Sequence, residues 1–311
     1  MFGSPKESQR IPEDVLRWIR QVFADGNTRV TEKLIRNPNL PEESLDLSWI
    51  EHLSRFSTAE RFPSGWMVRI ESHYLGGLRH FRNWEIADIG LLVFLRLAPG
   101  SSVNKVALLQ SKRLYPNGIP IREETRVDFE TGFARLADPE DIAWPIGPST
   151  EFRFTDASRY GALRRGSDQV GAITNYQSDA DLRVYYQLYN PWTIPFTQQV
   201  PLAGYIPPEG RPSLGVRVIP AQIVHAKLTE QDGATPKLSD FAKISPLPSY
   251  GWRLEEFVCD ELLACREGDR FNSPDDYKIE RLFYRRTGAI AAAIAVTIEA
   301  PDAVAIEQRE G

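Results

Sequence analysis

Asp88, Gln110, Lys112 and Glu71 are the residues of this chain whose types and spacing best fit a chemical role. Asp88 stands just before an almost continuous apolar run, EIADIGLLVFLRL, residues 85–97. An acid at the mouth of a buried strand is costly unless it is paired or binds a cation. The second run, VALLQSKRLYP, places Gln110 and Lys112 two positions apart near its end. In a strand, residues two apart point to one face. A carboxylate, a neutral amide oxygen, an ammonium and an accessory acid suit metal-assisted phosphodiester hydrolysis. Mg²⁺ (or Mn²⁺) prefers oxygen ligands and keeps several waters. Asp88, Gln110 and Glu71 are the expected metal ligands, with the Ser111 backbone carbonyl completing the protein share. Lys112 is expected to orient the attacking water or to offset charge on the scissile phosphate. Glu85, three residues before Asp88, rivals Glu71 as the accessory acid.

The elements that must hold these residues are read from pattern. EIADIGLLVFLRL and residues 105–115 predict an antiparallel hairpin around the turn-rich APGSSVN. Residues 63–83 read as a helix weakening at Gly76–Gly77, with Glu71 on it. SDQVGAITNYQ (167–177) predicts a helix opened by Ser167, and DLRVYYQLYNP (181–191) predicts a strand. Upstream, residues 12–56 read as three helical pieces. Downstream, the Pro-rich stretch 191–213 reads as a loop. After it come a strand (SLGVRVIP), a short helix (PAQIVHAKL), a helix ending at Gly268, and TGAIAAAIAVTIEAP as a strand or a buried helix. The expected organisation is an N-terminal helical arm (1–60), a core (61–200) and a C-terminal α/β extension (201–311).

Asp88, a strand connector and then Gln110-Ser111-Lys112 resemble the active-site signature of the PD-(D/E)xK nuclease superfamily, in its Gln-x-Lys variant. The resemblance covers roughly residues 63–190. It implies an α/β restriction-endonuclease-like core: a helix with an early Glu, a three-stranded meander, a helix and a strand, in a mixed sheet flanked by helices. It also implies a metal-dependent endonuclease acting on DNA in preference to RNA, regulated by a partner or ligand, as in prokaryotic anti-phage effectors. The chain departs from the pattern in three ways. Ala87 stands where a Pro often precedes the acid, only two clear strands precede the insert, and the insert is long. The alternative is a catalytically inactive scaffold, or a nucleic-acid-binding subunit of a larger complex. A third reading is an unrelated α/β interaction protein.

Bulk composition narrows the remaining choices. The net charge of −5 gives no global pull toward nucleic acid, so a protein partner or self-assembly would have to assist binding. Cys259 and Cys265 are too few for a disulfide framework and wrongly spaced for zinc. The first residues lack the apolar core of a signal peptide, and no run is long enough to span a bilayer, so a cytoplasmic protein without membrane contact is expected. No nucleotide-binding glycine loop, HExxH or GxSxG motif is present. His73 and His80, the arginines 79, 82, 159, 164, 165, 281, 285 and 286, and the acids 138, 140 and 141 are weaker candidates. Tyr185 and Tyr189 should share one strand face and Tyr186 the other, as core packing rather than base stacking.

Overall fold

The computed structural model describes residues 11–76, 86–98, 101–117, 150–200, 208–230, 235–273, 276–284 and 288–301. The protein is α/β, with a mixed central sheet flanked by helices. Helix α1 (Glu13–Arg36) carries Glu13 and Asp14 in its first turn and Lys33 and Arg36 in its last, which complements the helix dipole. It runs unbroken where two separate helical pieces are expected from sequence. The reason is tertiary: Gly26 lies against Trp49 of α2 (Glu42–Leu53), so close that a Cβ there would sit 2.9 Å from Trp49 Cδ1. Gly26→Val should therefore overpack this helix contact and cost about 1–3 kcal/mol in urea unfolding. An unchanged midpoint would show that the contact is not tight.

The nine-stranded sheet contains β1 (Glu60–Arg61), β2 (Met67–Tyr74), β3 (Ala87–Ala98) and β4 (Ser101–Arg113). A second, two-stranded sheet pairs β5 (Thr150–Phe154) with β7 (Phe196–Val200). Between these in sequence lie helix α3 (Asp168–Ala180) and strand β6 (Val184–Tyr189). Next come β8 (Arg217–Pro220), helix α4 (Ala221–Glu230), β9 (Trp252–Arg253), β10 (Asp269–Phe271) and β11 (Ile290–Glu299). The main sheet runs β1-β2-β11-β3-β4-β6-β8-β9, with β10 added to the start of β4.

Three local expectations hold. The β3–β4 hairpin is antiparallel, α3 is capped by the Ser167 side chain, and the strand expected over 181–191 is β6, which lies parallel to β4. Both faces of β3 and β4 are covered. Ile89, Leu91, Ala107 and Leu109 join the cluster built with α1 and α2. Leu92, Val106 and Leu108 join the cluster built with α3 and α4. Such double burial requires the near-continuous apolar runs seen in the sequence.

Three local expectations are corrected and one open alternative is decided. The segment read as a helix over 63–83 is strand β2 where it is described: Val68 and Ile70 are buried while Arg69 is exposed, the period of a strand. Glu71 is therefore a strand residue. The stretch 191–213 contains β7, because Phe196 and Thr197 favour pairing with β5. The helix expected to reach Gly268 is a short helix, Leu254–Glu256, running into a π-helical turn, Phe257–Leu262. The Ala-rich run near the C-terminus, open between a strand and a buried helix, is a strand. There β11 pairs antiparallel with β2 and parallel with β3, and Ile294, Val296 and Ile298 alternate onto the α1–α2 side.

Residues from all three sequence segments share the apolar cluster on the α1–α2 side of the sheet, while the cluster on the other side is built from the second and third segments. No helix among the described residues is long and apolar enough to cross a membrane.

Candidate active site at the β3–β4 strand ends

Asp88 lies one residue before Ile89, whose ladder partner is Leu109. One rung further, the Asp88 carboxylate meets Gln110. Gln110 Nε2 donates to Asp88 Oδ2 at 2.7 Å, and the Ser111 backbone N–H donates to the same oxygen at 2.5 Å. Two residues on, the Arg113 backbone N–H donates to Glu42 Oε1 at 3.0 Å. In a strand, alternate N–H groups point to one edge. Beyond the start of β3, the edge of β4 that faces it is thus taken over by two carboxylates in succession. The two N–H groups they accept from lie about 7 Å apart, the rise of two strand residues.

Lys112 lies between those two N–H donors. Its Nζ pairs with Glu42 Oε2 at 3.0 Å, and only 4% of the residue is exposed. Burial by itself pushes the ammonium pKa down. Glu42, Asp88 and Asp46 together outweigh that and hold it above the ordinary lysine value. Lys112 therefore stays charged at neutral pH and serves as a cationic donor, not as a general base.

Behind this edge lies a second polar group. Asp46, one turn after Glu42 on α2, accepts from Ser111 Oγ at 2.6 Å and from the Tyr189 hydroxyl of β6. Gln187 Nε2 donates to the Tyr189 oxygen at 2.5 Å. Asp46 is buried, and burial followed by repulsion from Asp88 raises its carboxyl pKa well above the usual range; the bonds from Ser111 and Tyr189 oppose this. The Tyr189 phenol is likewise held high by burial and by Asp46.

Of the sequence-derived residues, the structure brings Asp88, Gln110 and Lys112 together. It does not bring Glu71 to them. Glu71 pairs in register with Ala295, and Ala295 with Leu92, which places it roughly 13 Å along the strand direction from Asp88 and two strands away. Its carboxylate pairs with Arg69 at 3.3 Å. The helical glutamate near the site is Glu42. Together with Asp46 it was open to detection: the two are spaced i, i+4 on one helix face, and Asp46 lies on the stripe of Ile50 and Leu53. The tyrosines pack as expected, Tyr185 and Tyr189 on one side of β6 and Tyr186 on the other, all buried. His73 is exposed on β2, and Arg164 and Arg165 are exposed near the start of α3. Glu85, His80, arginines 79, 82, 285 and 286 and the acids 138, 140 and 141 lie outside the described residues. Both cysteines are free, Cys259 buried and Cys265 exposed.

A hard cation needs oxygen ligands, and the site offers two kinds. The first is the half-buried Asp88 carboxylate; the second is Gln110 Oε1, a fully buried oxygen with no hydrogen-bond partner. A buried amide oxygen left without a donor carries a desolvation cost that a bound cation would relieve. Among the described residues no group of three or more His, Cys, Asp and Glu is placed to hold a metal. The pair therefore fits an ion that retains most of its waters, such as Mg²⁺, better than one enclosed by protein.

Comparisons with protein families, with curated proteins and with solved structures find no match to this chain.

Proposed function

We propose that the chain is a metal-dependent endonuclease with a restriction-endonuclease-like core, acting on DNA in preference to RNA. One observation carries this reading: a carboxylate, an orphaned amide oxygen and a buried lysine held in its charged form by neighbouring acids meet at the ends of two neighbouring strands. The element order supports it. Helix α2, strands β2, β3 and β4, helix α3 and strand β6 follow the helix, three strands, helix and strand that the resemblance implies. The departure is β11, which stands between β2 and β3.

On this reading Asp88 and Gln110 Oε1 hold Mg²⁺ or Mn²⁺, which supplies Lewis-acid polarisation of a phosphodiester when bound. Lys112 places a fixed positive charge where negative charge develops on the phosphate. Glu42 is the helical glutamate at this site, and it holds Lys112 in place instead of taking the metal-ligand part expected of Glu71. Asp46, Ser111 and Tyr189 fix the end of β4 from behind. The acidic net charge makes a protein partner or self-assembly part of the proposal. A place among prokaryotic defence effectors rests on the resemblance alone.

A second reading has its own support. Asp88 is occupied by two strand donors, and Lys112 by Glu42, as in a purely structural joint. On that reading the chain is an inactive nuclease-fold scaffold or a nucleic-acid-binding subunit. Plasmid DNA and RNA incubated with the protein in Mg²⁺ or Mn²⁺ separate the two. Cleavage by the wild type should fall at least about 100-fold in Asp88→Ala, the scale of losing a principal charge-stabilising group. Equal cleavage by Asp88→Ala removes the site assignment. No cleavage with either nucleic acid, alone or with an operon partner, favours the scaffold.

A further inference from the structure

Five large apolar side chains are exposed among the described residues, and three of them, Tyr277, Phe283 and Tyr284, fall within eight consecutive positions. Exposed apolar side chains scattered singly need no explanation; such a concentration does. The segment consists of a helical turn, Tyr277–Glu280, continued as a 3₁₀ turn, Arg281–Phe283. Its inner side is anchored, because Ile279 and Leu282 are buried in the same cluster as Ile86, Ala87 and Leu92. Its outer side carries the rings. Tyr277 is 63% exposed, and the Arg281 guanidinium lies over its ring, 5.3 Å from the centroid. Lys278 sits between Tyr277 and Ile279 and pairs with Asp181 at 2.8 Å in an exposed contact. Glu280 is the acid within the segment, and Asp276 is spent capping it.

The placement connects this segment to Asp88. Gly288 N–H donates to the Tyr284 carbonyl at 2.8 Å, and Ala87 N–H donates to the Ala289 carbonyl at 3.0 Å. Two short hydrogen-bonded steps therefore join Tyr284 to the residue beside Asp88, a backbone separation on the order of 15 Å. By strand alternation, Asp88 and Gln110 belong to the sheet face that this segment covers, the face of Leu92 and Leu108.

We infer that Tyr277, Phe283 and Tyr284, with Arg281, form a stacking platform for unpaired bases of a nucleic-acid strand whose backbone passes Asp88 and Lys112. This rests on the nuclease reading for its direction and deepens it by naming the substrate class as single-stranded or locally unpaired nucleic acid. Every base offers a π-face, so exposed rings bind single strands without regard to sequence, and a guanidinium adds cation–π and phosphate contacts. In a duplex those faces are hidden in the stack. An acidic protein gains most from such a platform, because stacking does not depend on net charge.

The test measures binding apart from cleavage. A fluorescently labelled single-stranded oligonucleotide and its duplex are titrated with the full chain by anisotropy, in Ca²⁺ and on an Asp88→Asn background. The expected result is tighter binding of the single strand. Tyr277→Ala and Tyr284→Ala should each weaken it about tenfold, while Tyr277→Phe keeps it. Tyr277→Leu, which retains apolar area without an aromatic face, should lose as much as Tyr277→Ala. Thermal unfolding of the Tyr277 variants should match the parent, since that residue is 63% exposed; Tyr284→Ala, at a residue 39% exposed, is assayed below its own unfolding midpoint. Unchanged single-strand affinity in the alanine variants overturns the platform and leaves the patch as a protein contact. Equal losses for duplex and single strand, or no binding of the single strand at all, also overturn it. The nuclease reading stands or falls separately, on whether Asp88→Ala abolishes cleavage.

Discussion

Replacing Lys112 with Met is expected to destabilise the protein by about 3–5 kcal/mol at neutral pH, the usual cost of removing one partner of a buried ion pair. The size follows from the surroundings. Glu42 accepts from both Lys112 Nζ and the Arg113 N–H, and Asp46 and Asp88 lie close enough to act on the same ammonium. Without that ammonium, three carboxyl groups remain around a buried site with no compensating cation. The pH dependence has a definite sign. A lysine whose folded pKa is raised gives stability that is fully present below its unfolded value, about 10.4, and is lost as pH rises through the folded value. The deficit of Lys112→Met should therefore hold from neutral pH up to about 10 and shrink above it. Urea unfolding across that range measures it. A double-mutant cycle with Glu42→Gln sharpens the result: the double variant should lose less than the sum of the singles. Strict additivity would mean that the pair seen here contributes nothing to stability. Cleavage by Lys112→Met, assayed below its unfolding midpoint, reports separately on the proposed chemistry.

Asp46 gives the second large effect, and its two substitutions should diverge. Asp46→Ala removes the acceptor for the Ser111 and Tyr189 hydroxyls: Ser111 Oγ keeps only its longer contact to the Tyr189 oxygen at 3.4 Å, and the buried Tyr189 hydroxyl is left without an acceptor, at a cost of about 1–3 kcal/mol. Asp46→Asn keeps an oxygen acceptor and removes the ionisation. The folded carboxyl has a pKa well above its ordinary value, so between the two values the folded state holds the extra proton. Across that window the wild type loses stability as pH rises, by as much as about 1.4 kcal/mol per pH unit. Asp46→Asn should flatten this slope and gain on the wild type from about pH 4 upward. Urea midpoints measured from about pH 4 to 8 decide the matter; an Asn variant with the wild-type slope would show that Asp46 is not the titrating group.

Much of the site's first layer was legible in the chain. The apolar runs around Asp88 and around Gln110 and Lys112 dictated a buried hairpin, because only double burial tolerates such continuous hydrophobicity. Within that hairpin the period of two put Gln110 and Lys112 on one face and left Arg113 on the other. Arg113 is indeed buried elsewhere, bonded to the Pro38 carbonyl and lying over the Tyr115 ring at 3.9 Å. Ser167 marked the start of α3 because its side chain can satisfy a free helix N–H. Glu71 misled because its surroundings, RIESHY, fit a helical spacing about as well as a strand. The alternation of Val68, Arg69 and Ile70 becomes decisive only once β11 is there to pair with it.

What the sequence determined by itself is local: which runs are strands, which residue opens a helix, and that an acid, an amide and a lysine share neighbouring strand ends. What only the tertiary structure decided is which distant groups complete them. Glu42 and Asp46 come to β4 from more than sixty residues upstream. They do so because α2 packs its Leu45, Trp49 and Leu53 side against the sheet. The Ala-rich β11 enters between β2 and β3 from the far end of the chain, since a strand with small and β-branched residues fits a doubly covered position. Periodicity reports the faces an element must bury. It carries no information on which other element will cover them, because hydrophobic burial is non-directional and partner choice is settled by packing across the whole chain.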